Sequence, residues 1–445
     1  MYPAVVSTAS ARPLAHSRAL DGNFLALFGF AFGLTFLMPA FVMTLAVDPV
    51  DLTFRTSRIL QAANLFCALY GVAMILTSRE VTSTVFRCRP ILLLIGLAFL
   101  SSLWSFKPDS TIRESEVLLA TSSFAMAMAG RLSPAASYRL IIRTLVLVCL
   151  LSIVWVVLFP QGMHQATDPF QYQHAGLWRG IFTHKQGLGV ASGLTIGLLL
   201  FYGSMAFSSL VFRLGAIACS VTCLLGTMSA TGFVIAIALP MMLYTTYWIA
   251  RRPPSVRKGM MALLVATITA GYACFHLGIL DFVMPMIGKS TDLTGRADFW
   301  PWVLANIKNS GSALLGGGFA GGWENVVAPS VSVDSGYILL LVWFGYLGAA
   351  IVLAVHGWVL WAGAKLIFSA RSETAAILVF PFCIMMVEFI LNITETAFMG
   401  KNINTVLVTV AAYQIVRYQS AARIRTGRSS ANKIAGRWAF TQGRV

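Results

Sequence analysis

Three groups of side chains in this sequence have the types and spacing to act on a substrate. Arg179, His184 and Lys185 fall within the stretch RGIFTHK. Two cations and an imidazole so close together suit a phosphate or pyrophosphate, because arginine offers a planar fork that grips two oxygens at once. A solvated basic cluster beside a membrane surface is the competing account. Glu388, Asn392 and Glu395 are spaced by four and three residues, which puts them on one face of a helix. Carboxylates at membrane depth are costly and face a cavity or a partner, so these either touch substrate or form a structural ion pair with Lys401 or an arginine of another helix. The third group is dispersed: Arg113 with Glu116, Arg296 with Asp298, and Asp334 with Tyr337. His164 and His174 lie in the same loop as His184 without a pattern and read as surface residues. His276 and His356 sit inside apolar runs, where interhelical hydrogen bonds account for them.

Several chemistries are absent from the pattern. There is no zinc motif, phosphate-binding loop, dinucleotide fingerprint or nucleophile elbow, and the run GGGFAGG has neither the lysine nor the hydroxyl residue of a Walker loop. The seven cysteines show no metal-ligand spacing and lie mostly in apolar runs. Cys219 and Cys223 share a helical face and read as core. No metal and no cofactor is expected.

The elements that must hold these groups are helices in lipid. Of 445 residues, 58% are hydrophobic and 11% charged, against about 25% charged in soluble domains. Apolar runs near 20 residues, the length that crosses roughly 30 Å of hydrocarbon, recur along the chain. Backbone groups in lipid must be satisfied within their own segment, so each run is predicted as a helix. The twelve runs fall near 24–47, 59–77, 90–106, 115–130, 138–159, 187–207, 210–228, 231–249, 260–284, 336–364, 374–395 and 402–417. The predicted fold is all-α and polytopic, with a transmembrane domain over 24–417 between a short 1–23 segment and a basic tail, 418–445, expected to be disordered. The run Leu25–Val47 is too long for a cleavable signal and is followed by no small-residue cleavage site.

Orientation follows from the basic residues. Alternate loops and the two ends hold 22 of the 32 lysines and arginines, so both termini are expected in the cytoplasm. The net charge of +16 is thereby accounted for without a nucleic-acid partner. Two segments on the opposite side, 160–186 and 285–335, are long enough to be structured. Within the second, Phe299, Trp300, Val303, Leu304 and Ile307 recur at helical spacing. They predict an amphipathic interfacial helix over 296–308, stopped by Gly311 and Gly316–Gly318. Glycines 189, 193 and 197, four apart, predict close helix packing.

Four stretches in order carry a family resemblance: SSLWSFKPDSTIRES (101–115), RGIFTHKQGLG (179–189), TGRADFWPWVLANIKNSGSALLGGGF (294–319), and VDSGYILLLVWFGYLG (333–348) followed by NITET (392–396). Together they resemble the O-antigen ligase and Wzy-type polymerase superfamily, which includes ExoQ-like exopolysaccharide polymerisation proteins. The resemblance implies a GT-C-like glycosyltransferase of the bacterial inner membrane. Such an enzyme takes a glycan from undecaprenyl pyrophosphate on the periplasmic face and passes it to an acceptor hydroxyl, with neither nucleotide sugar nor metal. A second lipid-linked repeat unit is the acceptor in polymerases, and lipid A core in ligases. Three positions depart from the family pattern. Asp334 stands where a histidine is usual, Gln186 where an asparagine is, and Ser229-Ala230-Thr231 where a serine–arginine pair is common.

On that resemblance, Arg179, Lys185 and Arg296 are expected to hold the pyrophosphate. Asp334 would be the general base, with His184 as second choice. Trp300, Trp302 or Trp323 would stack on sugars or anchor the interface, and Arg113 with Glu116 would pair or line the lipid entry. Tyr337, Glu388 and Glu395 complete the expected substrate contacts, and segment 296–308 is a candidate lid. The expected partners are the lipid-linked donor and acceptor, a chain-length regulator and export proteins. A ligase, a transporter or flippase, and a non-catalytic assembly protein are the alternative functions.

Overall fold

The computed structural model describes residues 58–166, 172–253, 255–257, 259, 296–321, 333, 335–369, 372–399 and 403–421. Among them the elements are helical, and the sole β feature is an isolated antiparallel bridge between Met163 and Trp178. The helices are α1 (Arg58–Leu76), α2 (Arg79–Arg87), α3 (Arg89–Leu100), α4 (Pro108–Arg131), α5 (Pro134–Leu158) and α6 (Lys185–Ala206). They continue with α7 (Leu210–Thr227), α8 (Ala230–Ala250), α9 (Arg296–Asn309), α10 (Gly336–Ser369), α11 (Ser372–Thr394) and α12 (403–421). Ten of the predicted apolar runs coincide with a helix, while 24–47 and 260–284 lie outside the described residues. The last helix continues through 421, so the first residues of the segment expected to be a disordered tail are helical.

Five of these helices, α5, α6, α7, α8 and α10, are long and apolar enough to cross a membrane. A sixth is added if α2 and Arg89–Leu103, bent by 70°, make one span. Large apolar side chains face outward on them, among them Val157, Val211, Phe212 and Ile237. That surface suits lipid and not water. Chain signals set the boundaries: Ser133 caps α5 with Pro134 behind it, and Ser229 accepts the Gly232 amide at the start of α8.

The interior is formed by α6, α11 and α12 with the second half of α4. Tyr138 of α5 marks its centre, stacking on Phe380 at 4.0 Å and bonding Gln414 and the Ile377 carbonyl. The glycine spacing on α6 does what it predicts. A Cβ at Gly193 would overlap the Gly232 carbonyl of α8, and one at Gly197 would press on Leu239, so the two backbones meet in direct contact.

α10 is two helical stretches joined at Gly345, whose backbone (φ 61°, ψ −169°) belongs to glycine alone. The break strands two carbonyls and two amides, and the loop after α9 satisfies all four. Gly317 and Gly318 donate to the Val342 and Trp343 carbonyls at 2.8 and 2.9 Å. Tyr346 and Leu347 donate to Ala313 and Leu314 at 2.9 and 3.1 Å. α9 itself packs through Val303 and Ile307 against α10. It is the amphipathic segment expected from the sequence, and it ends at Gly311 in a left-handed turn.

A side chain at Gly345 would add backbone strain of about 1–3 kcal/mol to a collision with Leu314. Gly357, on the same helix, has open space around it. Gly345→Ala should therefore lower the thermal unfolding midpoint in detergent by several degrees, while Gly357→Ala leaves it level or slightly raised. Tryptophan fluorescence would follow both, and equal effects would refute this account of the break.

Candidate functional site

The loop between α5 and α6 folds onto itself before it reaches the helix. Arg179 and Gly180 donate to the Gly162 carbonyl, His164 to Leu177, and Gly176 to His164, all at 2.9 Å. Trp178 extends this pairing to the end of α7, where its amide donates to Gly226 at 2.9 Å. Its indole lies so close to Gly226 that a Cβ there would overlap the ring. Ser152 holds the other side, its hydroxyl accepting the Ile181 amide at 3.4 Å.

The folding gathers three imidazoles. The ring centroids of His164, His174 and His184 are 5.3 to 5.7 Å apart. His164 is buried, not the surface residue expected from its loop position, and its Nε2 accepts the Lys185 amide at 3.1 Å. His184 caps α6, with Nδ1 accepting the Gln186 amide at 3.3 Å. Arg179 donates from Nε to the Gln161 carbonyl at 2.7 Å. Two cations and three imidazoles thus surround a helix N-terminus with no acid in its first turn. The helix dipole there also favours an anion. Burial, and then the neighbouring Arg179, His174 and Lys185, push His164 down to about 4, so the ring is neutral at physiological pH. No group of three metal-binding side chains among the described residues is arranged to hold a metal ion.

The carboxylates lie at the end of α11. Thr231, two residues past the α7–α8 turn, donates to Glu395 Oε1 at 2.9 Å. The Glu395 carbonyl accepts the Gly336 amide at 2.8 Å. Asn392 spends its side chain on the backbone: Oδ1 accepts the Ala397 and Phe398 amides at 2.9 and 2.8 Å, and Nδ2 donates to the Glu388 carbonyl at 2.7 Å. Tyr337 donates to the Phe389 carbonyl at 2.8 Å. Glu388 lines a small cavity between helices.

The predicted residues thus form two sets, the cationic loop and the α10–α11 junction. The end of α7 and the start of α8 touch both, through Gly226 and Thr231. Arg113, half-buried, donates to Ser110 at 3.2 Å and makes no ion pair with exposed Glu116. Arg296 opens α9, with Trp300 half-buried a turn later. Asp334, Trp323, Lys401 and His276 lie outside the described residues. His356 bonds its own helix at the Val352 carbonyl, not a neighbouring helix. Sequence reasoning missed the roles of His164, His174, Trp178 and Thr231. Only the density of aromatics and histidines in 160–178 hinted at the first three.

No protein-family model matches this chain, and no curated protein matches it.

The depressed His164 makes stability depend on pH with a definite sign. Above about 6.5, the ordinary value, the ring is neutral in both folded and unfolded chains and contributes no slope. As pH falls from there towards 4, the unfolded chain binds a proton that the folded one refuses, so stability declines. The thermal midpoint should drop through that window, and His164→Gln should flatten the drop. An unchanged profile in the variant would refute the assignment.

Proposed function

We propose that this protein is a GT-C-like glycosyltransferase with about twelve transmembrane helices in the bacterial inner membrane, both termini cytoplasmic. It polymerises undecaprenyl-pyrophosphate-linked oligosaccharide units into exopolysaccharide or O-antigen on the periplasmic face. The observation that carries this reading is the cationic cluster of Arg179, His184 and Lys185 at the start of α6.

Glycosyl transfer from a lipid pyrophosphate asks for such a site. The acceptor hydroxyl oxygen attacks the anomeric carbon of the donor, the carbon–oxygen bond to pyrophosphate breaks, and configuration inverts. Negative charge grows on the departing pyrophosphate, and preorganised cations lower the barrier by meeting it there. Arg179 and Lys185 fill that role, with Arg296 of α9 as a third cation. The acceptor proton goes to a base: Asp334 is the first choice. His184 Nε2 is the second, since its Nδ1 already accepts the Gln186 amide. Thr231 and Tyr337 fix the α10–α11 junction, and Glu395 ties that junction to α8.

Removing one such charge typically costs about 10²–10³ in rate. Cells carrying Arg179→Ala or Asp334→Ala, with protein level and membrane insertion verified, should accumulate single undecaprenyl-linked repeat units on glycan gels. Long lipid-linked chains would instead assign the protein as a ligase. Normal polymer from both variants would exclude these residues from catalysis and favour transport or assembly.

A further inference from the structure

A second polar site lies between the helices, lined by residues to which the proposed transfer mechanism assigns no step. Glu388 of α11 and His356 of α10 are each 3% exposed. They line one cavity of about 20 Å³, together with Ser122 of α4 and Thr405 and Thr409 of α12. A space of that size holds a single water. The remaining wall, from α3, α4, α12 and Met399, is apolar.

The chemistry of the wall is specific. His356 Nδ1 lies 2.8 Å from the Val352 carbonyl. A carbonyl only accepts, so Nδ1 carries the hydrogen and Nε2 is left as the acceptor. Among the described residues no lysine or arginine lines the cavity. Asn392, one turn along α11, bonds the Glu388 backbone carbonyl, and Tyr337 is the other titratable group in electrostatic range. α3, α4 and α12 contribute no titratable side chain to the wall. A carboxylate removed from water without a counter-charge costs several kcal/mol, whereas a carboxylic acid with hydrogen-bond partners costs far less.

We propose that Glu388, one water and His356 form a proton-binding site inside the helical bundle. The Glu388 carboxyl donates its proton to the water, and the water donates to His356 Nε2. The hydroxyls of Ser122 and Thr409, each 2% exposed, complete the water's contacts. One proton then joins α4, α10, α11 and α12, and the junction of α10 with α11 is held from below by a neutral hydrogen-bonded chain. This inference is independent of the polymerase reading and stands if that reading fails.

Infrared difference spectroscopy of the full chain in lipid vesicles tests it. At neutral pH the wild type should show a protonated-carboxyl C=O band that is missing from Glu388→Gln. The band should move to higher frequency in His356→Phe and shift in Thr409→Val, which removes only a hydroxyl. No loss of band in Glu388→Gln would mean an ionised carboxylate and overturn the proposal, as would a band unmoved by both other variants. Sodium in place of potassium, if it raised the thermal midpoint of the wild type but not of Glu388→Gln, would make this a metal-cation site and overturn it equally. Should Glu388→Gln fail to insert, the shift in Thr409→Val alone decides, because that variant keeps the charge and volume of the wall.

Discussion

A helix in lipid cannot leave its backbone groups unpaired, and at Gly345 this chain breaks a helix anyway. What makes the break tolerable is an exchange of hydrogen bonds with a loop. The carbonyls of Val342 and Trp343, which would have taken the Tyr346 and Leu347 amides, take Gly317 and Gly318 instead, and those amides turn to Ala313 and Leu314. Much of one end of the molecule follows from that exchange. The same loop accepts Phe106 N–H at 3.1 Å and Trp104 Nε1–H at 2.8 Å, and donates from Phe319 to Ser101 Oγ at 3.0 Å. The turn before α4, the loop after α9 and the first part of α10 are therefore one hydrogen-bonded unit. The 24 residues from 346 to 369 remain as an unbroken stretch, about 36 Å long at 1.5 Å per residue, which is enough to span a bilayer alone.

A second constraint couples that unit to the cationic loop. α6 and α8 touch backbone to backbone at Gly193 and Gly232, so the turn before α8 has little room to move relative to the start of α6. Ser229 sits where a Cβ on Gly189 would be. The end of α7 holds Trp178 through Gly226, and the start of α8 holds Glu395 through Thr231. Position 230, the first residue of α8, is alanine. The turn contributes geometry instead of charge, and the cations come from the loop.

Much of the helical frame is legible in the sequence because apolar length is a one-dimensional property. The run 187–207 and its glycines predict both α6 and its close crossing. α2 escapes such reading: REVTSTVFR is short and polar, and only its burial of Val81, Thr84 and Val85 makes it a helix worth forming. The break at Gly345 is equally hidden, since the sequence has 37 glycines and nothing local distinguishes this one. His164 looks solvated until residues 162–164 pair with 176–180. Asn392 shares a helical face with two carboxylates and reads as one of their set, yet its amide closes the end of α11. In each case the deciding partner is distant in sequence or belongs to the backbone, and neither leaves a pattern in residue types.

The cationic loop also shows why a histidine among positive charges must be neutral to be useful. His164 accepts the Lys185 amide through Nε2, and that bond fixes where α6 begins relative to the loop. A protonated ring has two donors and no lone pair to offer, so it would release the amide as well as repel Arg179 and Lys185. Burial and those same cations exclude the proton. The positive charge that suits the site to an anion thereby also preserves the hydrogen bond that holds the site together. An anion bound there would neutralise part of that charge and ease protonation of the ring, so ligand occupancy and the state of His164 are linked through the same field.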